Sequence, residues 1–174
     1  MEIRFLTADD ASAYRDIRLE ALEREPEAFG SSPEEHHKLT LAEIATRLFP
    51  DPSNNFVVGA FAGGRLVATA GFYGVKGIKE RHKGHIWGSL LAREQRGKGT
   101  AREMLRMLLE RAAAIEGMEQ ITLAVGSNQS AAAKLYRSLG FKAFGCEHHA
   151  LKIGEKYIDE EHMVLFVKAP DVAL

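Results

Sequence analysis

Ile3 and Phe5 alternate with polar neighbours, and Thr7 followed by Asp9 and Asp10 is a helix-start signal, so the chain opens with a short strand running into a helix. That helix covers roughly Asp9 to Glu25, with Tyr14, Ile17, Leu19, Ala21 and Leu22 on a broad apolar stripe, and Pro26 closes it. Glu27 to Lys38, with Gly30, Ser31, Ser32 and Pro33, reads as a loop. Leu41, Ile44, Ala45 and Leu48 then mark a second helix, ended by Pro50 and Pro52.

From Phe56 the period changes. Phe56 to Ala62 and Arg65 to Tyr73 flank Gly63-Gly64, the signature of a two-residue hairpin turn and an antiparallel pair. A glycine-punctuated gap from Gly74 to Gly84 precedes a strand from His85 to Ala92. Thr100 to Ile115 repeats Ala101, Met104, Leu105, Leu108, Ala112 and Ile115 at three- and four-residue steps, the clearest helix in the chain, with Gly117 capping its end. Ile121, Leu123 and Val125 form a further strand, a compact helix runs from about Gln129 to Leu139, and Gly140 stops it. Phe141 to Glu147 and Glu160 to Lys168 read as two closing strands, with Lys152 to Tyr157 between them. The element order predicts a single α/β domain over residues 1–174, a mixed and mostly antiparallel sheet flanked by helices; the crossover helix at Thr100 requires a parallel pair.

Composition narrows the function classes. The 174 residues carry 23 Lys plus Arg against 24 Asp plus Glu, a net charge of -1, so no global field gathers nucleic acid or an anionic membrane. No apolar run approaches the ~20 residues of a membrane span, and the start lacks a signal peptide's pattern, which predicts a cytoplasmic protein. Cys146 is the only cysteine, so an intrachain disulfide is excluded. His36-His37, His148-His149, His82 and His162 are not read as a metal site, since adjacent strand histidines face opposite ways and no acidic or cysteine partner stands at ligand spacing. Lys76, Lys79, Arg81 and Lys83 read as a solvated loop without the interleaved aromatics of a nucleic-acid site. Glu27, Glu34 and Glu35 likewise read as solvated.

The segment between the His85 strand and the Thr100 helix holds the chemistry: Arg96-Gly97-Lys98-Gly99-Thr100-Ala101. A helix start presents unpaired N–H groups and the positive end of the dipole, glycines permit close approach, and Arg96 and Lys98 add charge, so these residues suit a pyrophosphate. The P-loop and dinucleotide fingerprints do not fit.

Arg96, Gly99 and Ala101 satisfy the Gln/Arg-x-x-Gly-x-Gly/Ala pattern, and the segment resembles the acyl-CoA loop of the GNAT superfamily of N-acetyltransferases. Asn128 to Phe141 resembles the same family's Asn-x-x-Ala-x-x-Leu-Tyr-x-x-x-Gly-Phe. The resemblance implies a GNAT-like fold with a splayed sheet, acetyl-CoA as acyl donor, a primary amine on a small molecule or protein as acceptor, and no metal; it also admits a homodimer. It implies that the pantetheine arm lies between the strand ending at Leu91 and the strand Ile121 to Val125, beside the backbone of Leu90, Leu91 and Ala92. Asn128, Gln129 and Ala131 join the cofactor contacts; the family's asparagine stands seven residues before the tyrosine, where this chain has Gln129, with Asn128 one step earlier.

The matching tyrosine is Tyr136. Alone, a tyrosine beside Leu135 on a short helix reads as a core ring. A departing thiolate whose thiol has a pKa of about 8.5 is nevertheless within reach of a phenol of about 10, and the resemblance assigns Tyr136 as the general acid. His85 heads the strand bordering the cleft and titrates in the range a base needs, although an ordinary strand-end position is narrowly favoured. The competing reading is a non-catalytic acyl-CoA-binding or regulatory module that keeps the loop without turnover.

Overall fold

The structure is a computed structural model that describes residues 1–48, 51 and 53–168. Its strands are β1 (Glu2–Phe5), β2 (Asn55–Ala62), β3 (Arg65–Gly74), β4 (Lys83–Leu91), β5 (Gln120–Gly126), β6 (Lys142–Ile153) and β7 (Lys156–Phe166). The helices are α1 (Ala11–Arg24), α2 (Pro33–His37), α3 (Leu41–Leu48), α4 (Thr100–Ala113) and α5 (Ser130–Ser138). One seven-stranded sheet runs β1-β2-β3-β4-β5-β7-β6, antiparallel except for β4 against β5. The parallel pair is the one that the crossover helix α4 requires.

β2 and β3 are buried almost throughout because helices cover both sheet faces. Phe56, Val58 and Ala60 of β2 join Met104, Leu105 and Leu108 of α4 in one core. Val57 and Phe61, turned to the other face by strand alternation, join Tyr14 and Ile17 of α1 and Ile44 and Leu48 of α3. No helix among the described residues is long and apolar enough to cross a membrane.

Several expectations need correction. The segment read as a loop from Glu27 to Lys38 contains a 3₁₀ turn at Pro26–Ala28 and helix α2. Ser32 caps α2: its hydroxyl accepts from the Glu35 N–H at 3.2 Å, the Glu35 carboxylate accepts from the Ser32 N–H at 3.0 Å, and Pro33 occupies the first turn. The two closing strands are longer than read, and only Gly154 and Glu155 separate them. Between Glu147 and Leu151 the β6–β7 register shifts, and His149 sits at φ 56°; that irregularity hides the strand pattern. α4 ends at Ala113, and Gly117 belongs to the following turn, closed by the Met118 N–H on the Ile115 carbonyl. In α1 the buried set includes Arg18, which the apolar stripe omitted, while Leu19 is only half-buried. Pro50 and Pro52, read as ending α3, lie outside the described residues.

β4 bends where it matters for the site. Thr69 and Gly71 of β3 pair with Leu90 and Trp87 of β4, so two steps along β3 span three along β4. The extra residue is a β-bulge, with Gly88 at φ 61°. Replacing Gly88 by Ala adds a methyl whose nearest heavy atom is the Tyr14 hydroxyl at 3.9 Å, an ordinary contact, so its cost is backbone strain alone. Chemical denaturation of Gly88→Ala should show a loss of about 1–2 kcal/mol; unchanged stability would mean that β4 does not need the left-handed conformation here.

Candidate active site

β4 and β5 pair only at Lys83↔Gln120, Gly84↔Ile121 and His85↔Thr122 and then part company. Beyond that fork each strand turns one edge of unpaired backbone toward a cleft of about 760 Å³. The Ala92 N–H bonds the Val67 carbonyl of β3 at 2.8 Å and so is not free for a ligand. Strand alternation turns the preceding N–H, that of Leu91, to the opposite edge and into the fork.

One end of the cleft is the start of α4. Gly97 and Gly99 have φ of 75° and 84°, and nothing lies within 4 Å of where a Cβ would stand on either. Gly99 caps α4 without a side-chain hydrogen bond, leaving the first-turn N–H groups open to an anion. Arg96, Thr100 and Ala101 line the same region, whereas Lys98 does not. Arg96 donates to Glu25 at 2.6 Å, and Arg93 donates to the same oxygen at 3.0 Å. These bonds outweigh burial and hold the Glu25 carboxyl below the usual carboxylate range.

The middle of the cleft gathers the other predicted residues. Leu90, Leu91, Ala92, Gln129 and Ala131 line it. Asn128 does not: its side-chain amide donates to Glu27 at 3.1 Å, on the outer surface. Glu27 also accepts from Lys156 at 2.7 Å, so it does not face the cleft as a free carboxylate. Gln129, seven residues before Tyr136, is the one of the two amide residues that lines the cleft.

Tyr136, on α5, is 7% exposed and packs edge-on against Phe141 at 5.9 Å. Burial pushes its hydroxyl above the ordinary phenol range; the neighbouring Ser89 hydroxyl pulls partly back, although it makes no hydrogen bond of normal geometry with any group. The phenol therefore stays protonated through the neutral range and is a donor.

His85 stands at the crotch of the fork. Its Nδ1 lies 3.1 Å from Thr122 Oγ1, and that hydroxyl donates to the Gly84 carbonyl at 3.2 Å. With its proton directed there, Thr122 accepts from Nδ1–H, which leaves Nε2 with its lone pair free. Burial lowers the pKa of His85, and the charge of His162 adds to the shift, so the ring is neutral at neutral pH and fit to take a proton.

Sequence reasoning missed Glu160, which lines the cleft from β7. Burial raises its pKa, reinforced by Glu147 and opposed by His162. Its place follows from the register Gly126↔Glu160, a long-range pairing with no local signal. Sequence reasoning also found no cysteine or acidic partner for the histidines. Cys146, His148 and Asp159 do bring their ligand atoms within 4.8 Å of one another on the β6–β7 hairpin, because Cys146 and His148 share a strand face. None of the three lines the cleft, and His148 and Asp159 are hydrogen-bonded at 2.9 Å.

The sequence matches a model of the acetyltransferase (GNAT) family over residues 15–141. No curated protein sequence matches it. Among solved structures, an acetyltransferase of the GNAT family from Streptococcus pneumoniae superposes with a TM-score of 0.85 at 23% identity, covering 96% of this chain and 99% of that one. A putative acetyltransferase from Salmonella typhimurium, solved with its cofactor acetyl-CoA, gives 0.79 at 21% identity over 99% and 98% of the two chains. A phosphinothricin acetyltransferase from Sinorhizobium meliloti in complex with acetyl-CoA gives 0.80 at 22% identity over 95% and 87%. At these identities the likeness is one of fold.

The neutral state of His85 is directly measurable. In an NMR titration its ring should gain a proton below the ordinary histidine value of 6.5. A midpoint at or above that value would refute the buried, neutral imidazole.

Proposed function

The chain belongs to the acetyltransferase (GNAT) family, with acetyl-CoA as its acyl donor, and from that premise we propose that it acetylates a primary amine by direct attack on the thioester, with Tyr136 as general acid. The observation that carries this reading is that one cleft is bordered by an uncapped helix start, an unpaired strand edge and a buried phenol. The pyrophosphate belongs at the first N–H groups of α4, with Arg96 at its side, and the pantetheine arm runs in the fork between β4 and β5. Gln129 is the better placed of the two candidate amides to meet the cofactor, since Asn128 is engaged with Glu27.

In the reaction the amine nitrogen bonds to the thioester carbonyl carbon while charge grows on its oxygen. The Leu91 N–H, turned into the fork, is the donor suited to that oxygen. An ammonium of pKa about 10.4 must first lose a proton, and His85 Nε2 is the base this reading assigns, with the Glu160 carboxyl lining the same cleft. The adduct's nitrogen loses its second proton to solvent, the C–S bond breaks, and the departing sulfur takes the Tyr136 proton, which solvent restores to the phenol.

Two substitutions test the assignment. Gly99→Val puts a branched side chain at φ 84° in front of the helix start, so acetyl-CoA affinity by calorimetry should fall by roughly tenfold or more as charge-assisted contacts are lost; equal affinity would remove the phosphate assignment. For Tyr136→Phe, an acceptor is first found by screening amines for thiol released from acetyl-CoA. The variant keeps the ring and its packing on Phe141, so acetyl-CoA affinity and melting temperature should hold while single-turnover chemistry falls by roughly 10²–10⁴. Undiminished single-turnover chemistry would exclude the hydroxyl from proton transfer.

A further inference from the structure

Arg18 is a cation in a place where a cation is costly. It projects from the middle of α1, is 7% exposed, and has its Nη1 fully buried without a hydrogen-bond partner. A buried charge requires a counter-charge, and none of the described residues supplies one. Tyr14 is the group beside it that favours its charged form, and burial keeps that phenol protonated. The acids of α1 are paired elsewhere, Asp16 with Arg15, Glu20 with Arg24 and Arg65 and Glu23 with His37, and Glu25 just past its end is paired with Arg93 and Arg96. His36, also 7% exposed and with Nε2 unpartnered, packs on the Tyr14 ring and is kept neutral by burial and by the charge of Arg18 itself. The groups that face the Arg18 guanidinium, Tyr14 and His36, are therefore neutral, and Glu23, the carboxylate between α1 and α2, is paired with His37 at the exposed rim.

What Arg18 does have is a shaped surrounding. Its guanidinium lies over the Phe29 ring at 4.4 Å, a cation–π contact that offsets part of the desolvation. Arg18 and Phe29 line the same cleft as His85 and Tyr136, with Ile17, Ala21 and Trp87 forming apolar wall beside them. Apolar walls exclude water and strengthen any ion pair made there.

Resting on the acetyl-transfer reading, we propose that the acceptor amine also carries a carboxylate, which Arg18 binds as a two-pronged hydrogen-bonded ion pair at the end of the cleft remote from the α4 phosphate site. A planar carboxylate matches the guanidinium fork and supplies the missing counter-charge, while the amine at the other end of the same molecule reaches His85 and the thioester. The substrate class is thus amino acids or short peptides with a free carboxyl end, and Arg18 is the residue that selects them.

The test uses a panel of α-, β- and γ-amino acids and dipeptides, each assayed beside its C-terminal amide with saturating acetyl-CoA. The parent should prefer acids over amides by roughly tenfold or more in kcat/KM, mostly through KM, the scale of a charge-assisted pair. Arg18→Met keeps the apolar stem and should bring the acid-to-amide ratio close to one, with the melting temperature held or raised because a lone buried charge is gone. Arg18→Lys keeps the charge without the fork and should retain part of the ratio. Turnover of acids and amides alike, or of neutral amines only, would overturn the subsite and leave acetyl transfer standing. A preference that survives in Arg18→Met, or a fall in its melting temperature with the ratio intact, would make Arg18 a structural cation on Phe29. No turnover with any amine of either kind would instead sink the acetyl-transfer reading, and the subsite with it.

Discussion

Everything in this fold that bears on function follows from an incomplete strand pairing. Parallel strands normally satisfy each other's backbone groups along their length, and β4 and β5 do so for three residue pairs before they separate. The separation has a local cause, the extra residue in β4 opposite β3, which bends the strand while leaving its other edge paired: the Ala92 N–H still meets the Val67 carbonyl. The free edge is therefore rigid, held from behind by β3, and faces the gap. A rigid unpaired edge can take a ligand's polar groups without first being reorganised.

The fork also explains why α4 starts where it does. The chain leaves β4, makes a 3₁₀ turn at Arg93–Gln95, and enters α4 through two glycines in left-handed conformations. That path brings the positive end of the helix dipole to the mouth of the gap. On the opposite bank, Tyr136 is held by Phe141, and α5 is tied to α4 by the Arg102 bond to Ser138 Oγ at 2.8 Å. Helix start, strand edge and phenol thus belong to one mechanical unit on the α4–α5 face of the sheet.

How much of this is readable in the sequence depends on whether the cause is local. Arg96 to Ala101 and the Tyr136 helix are legible because glycines at fixed spacing and a helix boundary carry their own signal. The α2 helix carries a local signal in Ser32-Pro33-Glu34-Glu35, a capping box, but the surrounding glycine and serine residues make the segment read as a loop. Glu160 was not legible, since nothing near it in the chain says that it pairs with Gly126 on the neighbouring strand β5. Arg18 was not, because an arginine between apolar positions on an amphipathic helix is ordinarily solvated, and only the tertiary packing of Phe29 against it shows otherwise. The acceptor end of the cleft is assembled from α1, the turn after it and β7, elements distant in sequence, which is why motif reading stops at the cofactor.

The electrostatics of the two ends differ in a way that fits a two-substrate cleft. At the phosphate end, Arg93 and Arg96 share the single Glu25 carboxylate, so two cations face one anion and positive charge remains beside the α4 dipole. Glu25 orients those side chains before any ligand arrives, at the cost of placing a negative charge near the phosphates. In the proposed cofactor site, main-chain N–H groups, which carry no such opposing charge, therefore supply the larger share of phosphate binding, and Arg96 the smaller. At the other end no acidic side chain among the described residues pairs with Arg18, and Ile17, Ala21, Phe29 and Trp87 supply apolar wall in the same cleft. An ion pair formed there gains more from each contact than the exposed pairs at the phosphate end, because less water competes for it. On the proposed reading the cleft holds its cofactor mostly by backbone and dipole, and leaves selection among acceptors to one buried side chain.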